Sequence, residues 1–175
     1  MEDSARAAAL RAASGDDVAF GVLVRQFQGK VRSFLLRMTK GNHALADDLA
    51  QDTFLEAYRK IAQFRAEGTF QSWLYRIAYT RFLMEVRKKK LDGAELNDDF
   101  PSTETRTTSD ARLDLERAMQ HLSAPERATL TLCYAMEFSN TEAADILQMP
   151  IGTVKSHVLR GREKLKAILE GGATA

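Results

Sequence analysis

Between Ala44 and Lys90 the chain reads ALADDLAQDTFLEAYRKIAQFRAEGTFQSWLYRIAYTRFLMEVRKKK, with apolar residues every three or four positions and no strand-like alternation. That period belongs to amphipathic helices. In the first half Leu45, Ala46, Leu49, Ala50, Ala57 and Ile61 mark one face, while Asp48, Asp52 and Glu56 stand at i, i+4 and i+8 on another. Such an acidic row points to solvent or to a partner. After a short Gly-containing turn, Phe70, Trp73, Leu74, Ile77 and Ala78 mark a second apolar stripe. Arg76, Arg81, Arg87, Lys88, Lys89 and Lys90 add positive charge that grows toward the C-terminal end. Aromatics interleaved with cations suit a nucleic acid, because bases stack on rings and phosphates pair with Lys and Arg.

The flanking segments extend the helical pattern. Residues 4–13 form an Ala-rich helix that stops near Gly15, and Asp16 or Asp17 caps the next one. There Val18, Phe20, Val22, Leu23 and Phe27 give a stripe that continues through Val31, Phe34, Leu35 and Met38 to a stop at Gly41, with Asn42 as the following cap. A compact helical domain over residues 1–91 follows. Residues 92–110, DGAELNDDFPSTETRTTSD, hold one Lys/Arg against six Asp/Glu and few apolar side chains, the composition of a flexible acidic linker. Helices return over residues 111–175. Ser123-Ala124-Pro125-Glu126 and Ser139-Asn140-Thr141-Glu142 both fit the S-x-x-E capping box and set two helix starts. The first helix packs through Leu130, Leu132, Cys133 and Met136; the second runs from Thr141 to Leu147. The expected fold is all-α, with two small helical domains joined by the linker.

The second domain carries a helix-turn-helix spacing: Thr141 to Leu147, a break at Gln148-Met149-Pro150, then Ile151 to Arg160. Ala144 is small where the helices must approach, and Ile146, Leu147, Val154 and Val158 fill the inside of the angle. Thr153, Lys155, Ser156, His157 and Arg160 then point outward, where polar side chains of a helix in the major groove reach base edges and cations meet phosphates. Gln148 occupies the turn position that favours Gly, and a left-handed conformation there costs about 1 kcal/mol.

Charge and composition narrow the function classes. The formal net charge is only +1, but residues 1–91 hold 16 Lys/Arg against 10 Asp/Glu and residues 111–175 hold eight of each. Between 151 and 168, Lys155, Arg160, Arg162, Lys164 and Lys166 face only Glu163. Two basic surfaces therefore flank an acidic segment. One cysteine, Cys133, excludes an internal disulfide, and His43, His121 and His157 stand too far apart for a zinc site. With no apolar run that suits a signal peptide or a bilayer span, a protein of the reducing cytosol is expected. No Gly-rich phosphate loop or nucleophile-base pair points to an enzyme, a cofactor, a metal or a small-molecule substrate.

Three segments together resemble the extracytoplasmic-function sigma factors of bacterial RNA polymerase. DDLAQDTFLEAYRKI looks like their region two, FQSWLYRIAYTRFLMEVRKKK like the part that melts and reads the −10 element, and LSAPERATLTLCYAMEFSNTEAADILQMPIGTVKSHVLRGREKL like region four. The resemblance spans about residues 18–168 and has no counterpart of region three. It implies that Asp48, Gln51, Asp52, Phe54 and Leu55 dock on the β′ clamp helices of core RNA polymerase. The loop Phe64-Arg65-Ala66-Glu67-Gly68-Thr69-Phe70 would hold a base flipped from the −10 element, with Trp73 and Arg76 behind it and Thr80 on the same helix. Arg81 and Arg87 with Lys88 to Lys90 would meet phosphates. Thr80 and Glu85 stand where the family is expected to carry Asn and Asp.

By the same resemblance Thr153, Lys155, Ser156, His157, Arg160 and Arg162 would contact the −35 element, with His157 where Arg is frequent. The linker would lie along the RNA exit path of core polymerase, whose β′ and β subunits are the implied partners, and its acids Glu95, Asp98 and Asp99 would mimic nucleic acid there. The implied partners are core polymerase, promoter DNA and an anti-sigma factor, and the implied location is the cytoplasm or the inner membrane when that factor is anchored there. Two other readings compete. One is a LuxR/GerE-like regulator, whose recognition helix resembles Thr153 to His157 but which usually carries an α/β domain. The other is an adaptor that mimics a sigma factor to titrate an anti-sigma protein, against which the two basic surfaces argue.

Overall fold

The computed structural model describes residues 2–93 and 110–172. Its order is α1 (Glu2–Ala13), α2 (Asp17–Met38), α3 (His43–Lys60), a 3₁₀ turn (Ile61–Gln63) and α4 (Phe70–Leu91). Then come α5 (Asp110–Gln120), α6 (Ala124–Leu130), a π turn (Thr131–Ala135), α7 (Asn140–Leu147) and α8 (Ile151–Gly172). Among the described residues there is no strand. Two compact helical units divide the chain, the first carrying α1 to α4 and the second α5 to α8, with Arg37–Asn42, the last residues of α2 and the turn after it, grouping with the second. Glu95, Asp98 and Asp99 lie outside the described residues.

The first unit follows its apolar stripes. Asp16 Oδ1 accepts from Ala19 N at 2.9 Å and starts α2, which runs unbroken to Met38. Phe20, Leu23, Phe27, Val31, Phe34 and Leu35 are buried along it. Val18 and Val22, expected in that stripe, are exposed, because they sit on the far side of α2 from Leu23. Gly41, at φ +87°, ends the turn after α2 in the left-handed region open to glycine. Against this layer pack Leu49 and Ala57 of α3 and Phe70, Leu74, Tyr75 and Ala78 of α4. Each large apolar side chain removed from water contributes about 1.5–3 kcal/mol. Ala5, Ala9 and Ala12 of α1 are buried as well, and α1 packs on the 3₁₀ turn and α4.

In the second unit both capping boxes form. Ser123 Oγ accepts from Glu126 N at 3.4 Å while Ser123 N donates to Glu126 Oε2 at 3.0 Å. Ser139 Oγ accepts from Glu142 N at 3.2 Å, and Ser139 N donates to Glu142 Oε2 at 2.8 Å. The helix expected to run through Cys133 and Met136 instead ends as α6 at Leu130 and loosens into the π turn, closed by Met136 N donating to Thr131 O at 3.1 Å. That turn keeps Leu132 in the core and leaves Cys133 half-buried and Tyr134 exposed. Gln148 takes the left-handed conformation at φ 53°, ψ 47°, as the missing glycine required. Pro150 O then accepts from Thr153 N and Val154 N, and α8 begins.

Candidate functional site

On α3, the residues assigned to partner docking divide into a groove and its rim. Between α2 and α3 lies an open, apolar groove of about 640 Å³. Phe20, Val24 and Arg32 line it from α2; Gln51, Phe54, Leu55 and Tyr58 line it from α3. Asp48 and Asp52 are exposed one helical step to the side, so carboxylates edge an apolar trough. Sequence reasoning missed Tyr58. Its ring meets Phe20 edge-on at 5.1 Å, and its hydroxyl donates to Asp17 Oδ1 at 2.9 Å, yet the residue stays 48% exposed. That bond and the Asp17 charge push the phenol up from its usual range. An aromatic side chain held in place but open to solvent is the kind of group that anchors a partner. Its signal in the sequence was the Leu55–Tyr58 spacing on one helix face.

Glu56 does not share the exposed row with Asp48 and Asp52. Lys60 Nζ lies 2.7 Å from Glu56 Oε1, and Arg81 Nη2 donates to Glu56 Oε2 at 2.6 Å. The hydrogen bond from Lys60 leads in holding this carboxyl below its ordinary pKa, with the charges of Lys60 and Arg81 adding to it against the cost of burial.

On α4, Trp73, Arg76, Thr80, Met84 and Arg87 follow helical spacing along one side. Arg76, Thr80, Met84 and Arg87 are exposed and Trp73 is half-buried. Lys88 is exposed at the last turn. Thr80 Oγ1 bonds back to Arg76 O at 2.9 Å, an ordinary use of a hydroxyl within a helix. Arg81 sits on another side, toward α3.

The loop before α4 has its own construction. Phe64 and Phe70, at its two ends, are buried. Their rings lie 5.8 Å apart, each 5.6 Å from Trp73, and Phe70 also meets Phe27 at 5.5 Å. Such aromatic pairs contribute about 0.5–1.5 kcal/mol each beyond burial. Thr69 caps α4 by accepting from Ser72 N at 3.0 Å. The two phenylalanines thus pin the loop from beneath, and Arg65, Glu67 and Gly68 are its exposed surface. Ala66 is left-handed at φ 55°, a conformation that is strained for an L-residue with a Cβ. An aromatic platform for a base is offered here by the half-buried Trp73 rather than by Phe64 or Phe70.

In the second unit α7 and α8 form the helix-turn-helix. Ala143, Ile146, Leu147 and Val154 are buried and Val158 half-buried at its inner angle; Ala144 is half-buried. Lys155, Ser156, Arg160 and Arg162 are exposed, with Thr153 and His157 half-buried beside them. Ser156 Oγ is 3.0 Å from Gly152 O, and Arg160 Nη2 donates to His157 Nδ1 at 3.3 Å. Burial, then the charge of Arg160, pull the His157 imidazole below its usual pKa; Lys164 adds to this and Glu126 opposes it. Beneath the helix Lys164 Nζ binds both oxygens of the buried Glu126, at 2.9 and 2.8 Å. Cys133 Sγ is 3.5 Å from Asn140 Oδ1, and burial pushes its thiol up, away from the reactive thiolate.

Among the described residues no cluster of three His, Cys, Asp or Glu side chains could hold a metal, and no helix is long and apolar enough to cross a membrane. The fold and these surfaces define a two-part helical protein with a helix-turn-helix in one unit and an open apolar groove in the other. Residues 23–91 match the Sigma-70 region 2 family and residues 112–165 the Sigma-70 region 4 family. The chain is 36% identical over 169 residues to the ECF RNA polymerase sigma factor SigW of Bacillus subtilis, covering 87% of this chain and 89% of that protein. It is 31% identical to the ECF RNA polymerase sigma-E factor of Haemophilus influenzae, over 89% and 90% of the two chains.

Among solved structures, the sigma factor RpoE bound to the anti-sigma factor NepR from Bartonella quintana matches with a TM-score of 0.75 at 28% identity, over 86% of this chain and 96% of that one. CnrH in complex with the cytosolic domain of CnrY matches with a TM-score of 0.73 at 27% identity, over 96% and 98%. The chain belongs to the extracytoplasmic-function sigma factors. It is an alternative sigma subunit, a member of a family that directs RNA polymerase to promoters and is not itself an enzyme. The region 2 match occupies the place where a LuxR-type regulator would carry its α/β domain.

Proposed function

We propose that this sigma factor docks on core RNA polymerase through the α2–α3 groove. Phe54, Leu55 and Gln51 enter the contact and Asp48 and Asp52 pair with cations on the β′ clamp helices. Residues 1–91 then present the Arg65–Thr69 loop with Trp73, Arg76, Thr80, Arg87 and Lys88 to the −10 element. Residues 111–175 present Thr153, Lys155, Ser156, His157, Arg160 and Arg162 to the −35 element, and residues 92–110 join them along the RNA exit path. An anti-sigma factor restrains the chain in the cytoplasm by covering these faces; the relatives RpoE, in complex with the anti-sigma factor NepR, and CnrH, in complex with the cytosolic domain of CnrY, support a partner of this kind.

The observation that carries the reading is the apolar groove with two exposed carboxylates, Asp48 and Asp52, at its edge, on the helix next to the one that bears the Trp73–Arg87 stripe. A trough and rim of this kind suit a partner helix with apolar and basic residues. In vitro transcription with bacterial core polymerase, on a library randomised at −35 and −10, tests it. Promoter-dependent transcripts are expected with the chain and are lost with Asp48→Arg/Asp52→Arg. The absence of any core-dependent transcript, with dimeric binding to a palindrome instead, would refute it.

A further inference from the structure

Arg81 has the composition of a phosphate contact and the geometry of something else. Along α4, Trp73, Arg76, Thr80, Met84 and Arg87 lie on the outer side. One residue past Thr80 turns the helix by about 100°. Arg81 therefore falls on the side of Phe70, Leu74 and Ile77, all buried. Its side chain is 25% exposed and that of Glu56 is 17% exposed. The guanidinium meets the carboxylate at 2.6 Å across the α3–α4 interface. Lys60 and Arg59 approach the same carboxylate from within α3, at 2.7 and 3.8 Å, so Glu56 is drawn toward its own helix, and among the described residues the ion pair that holds it to α4 is the one with Arg81.

We infer that Arg81 is a positioning residue: through Glu56 it fixes the outer stripe of α4 relative to the docking face of α3, and it does not bind promoter phosphate. The inference rests on the assignment of α3 to polymerase docking and α4 to the −10 element. A half-buried ion pair between two helices constrains rotation of one against the other, because turning α4 to bring Arg81 outward would leave Glu56 without its cross-helix partner and expose the Phe70–Leu74–Ile77 side. Promoter opening needs the loop and the stripe in one arrangement while the groove stays on polymerase. The pair joins the two tasks at the point where the helices meet.

The experiment uses the full chain assembled with core polymerase and follows three quantities: holoenzyme assembly, permanganate reactivity of −10 thymines, and the salt dependence of binding to single-stranded −10 DNA. Arg81→Gln is expected to cut permanganate reactivity about tenfold with assembly unchanged, and to leave the slope of log affinity against log salt as in the wild type. Arg87→Gln, on the outer stripe, is expected to reduce that slope by about 0.7, the loss of one phosphate contact on a single strand. The exchange Glu56→Lys/Arg81→Glu should recover most of the opening that either single change loses. A drop of about 0.7 in the slope for Arg81→Gln, or no recovery in the exchange, overturns the inference. Circular dichroism of Arg81→Lys, which keeps the charge, separates loss of positioning from loss of folding, and normal opening by a folded Arg81→Ala would also overturn it. Failure of the docking assignment shows differently: Asp48→Arg/Asp52→Arg would then leave holoenzyme assembly and opening as in the wild type.

Discussion

His157 shows how one side chain on the recognition helix links structure to conditions. Burial and the neighbouring Arg160 hold its imidazole below the usual pKa, which favours the neutral ring in the free chain. On the proposed −35 assignment, phosphates of bound DNA would favour the charged ring, so its pKa would be higher in the complex than in the free chain and binding would take up a proton. Affinity for a −35 duplex should therefore rise as pH falls from neutral through the pKa of the complex, by at most tenfold per pH unit, and level off below the pKa of the free chain. His157→Gln should flatten that dependence. Fluorescence anisotropy between about pH 5 and pH 8, a window that brackets the ordinary imidazole pKa, measures it. An equal pH profile in the variant would place His157 away from the phosphates. For stability the sign is opposite: a depressed His pKa contributes stability above the unfolded value that is lost as pH falls through it.

At the scale of elements, the recognition helix α8 is seated by contact with α6. Gly161 is buried, and a Cβ there would stand 2.8 Å from Leu130 Cδ1 and 3.3 Å from Leu130 Cγ. Leu130 is itself 4% exposed and has little room to turn aside. Gly161→Ala should cost about 1–3 kcal/mol of stability by overpacking. Leu130→Val in the same chain should return part of it, and urea unfolding of the single and double variants reads the outcome. Equal stability of Gly161→Ala and wild type would show that the two helices separate freely.

Much of this element-level design was legible beforehand. Both capping boxes, the break at Gln148–Pro150 and the buried Ile146, Leu147 and Val154 follow from local chemistry that acts within four residues. The close approach at Gly161 was not legible, because a glycine inside a helix does not announce which residue of another helix will need its space. The π turn escaped for the same reason: Leu132 must stay buried while Phe138 also enters the core, a requirement of packing rather than of propensity. On α3 and α4, composition named Glu56 and Arg81 as surface charges, and the three-dimensional crossing of the helices paired them.

For the whole molecule, two basic surfaces on two units raise the question of what lets them act together. Elements at −35 and −10 lie about 20 base pairs apart, roughly 70 Å at 3.4 Å per pair. Residues 92–110 have the composition of a coil, and a coil of that length averages about 25 Å between its ends and reaches at most about 60 Å when fully stretched. Extending it costs entropy, so the second element adds little effective concentration for the free chain. On the proposed −10 assignment, duplex DNA adds a further cost of a few kcal/mol, because the −10 bases would have to leave the stack before meeting the loop and Trp73. Core polymerase removes the first cost by holding each unit at its own site. The free chain should therefore bind a promoter with both elements less than about tenfold more tightly than one with the −35 element alone, a gain of less than about 1.4 kcal/mol. Holoenzyme should lose a hundredfold or more, about 2.7 kcal/mol, when either element is scrambled. Equilibrium binding to the three DNAs, with and without core polymerase, measures both ratios. A free chain that gained as much as holoenzyme from the second element would mean that the two units already span the promoter unaided, and the groove on α2 and α3 would then serve recruitment alone.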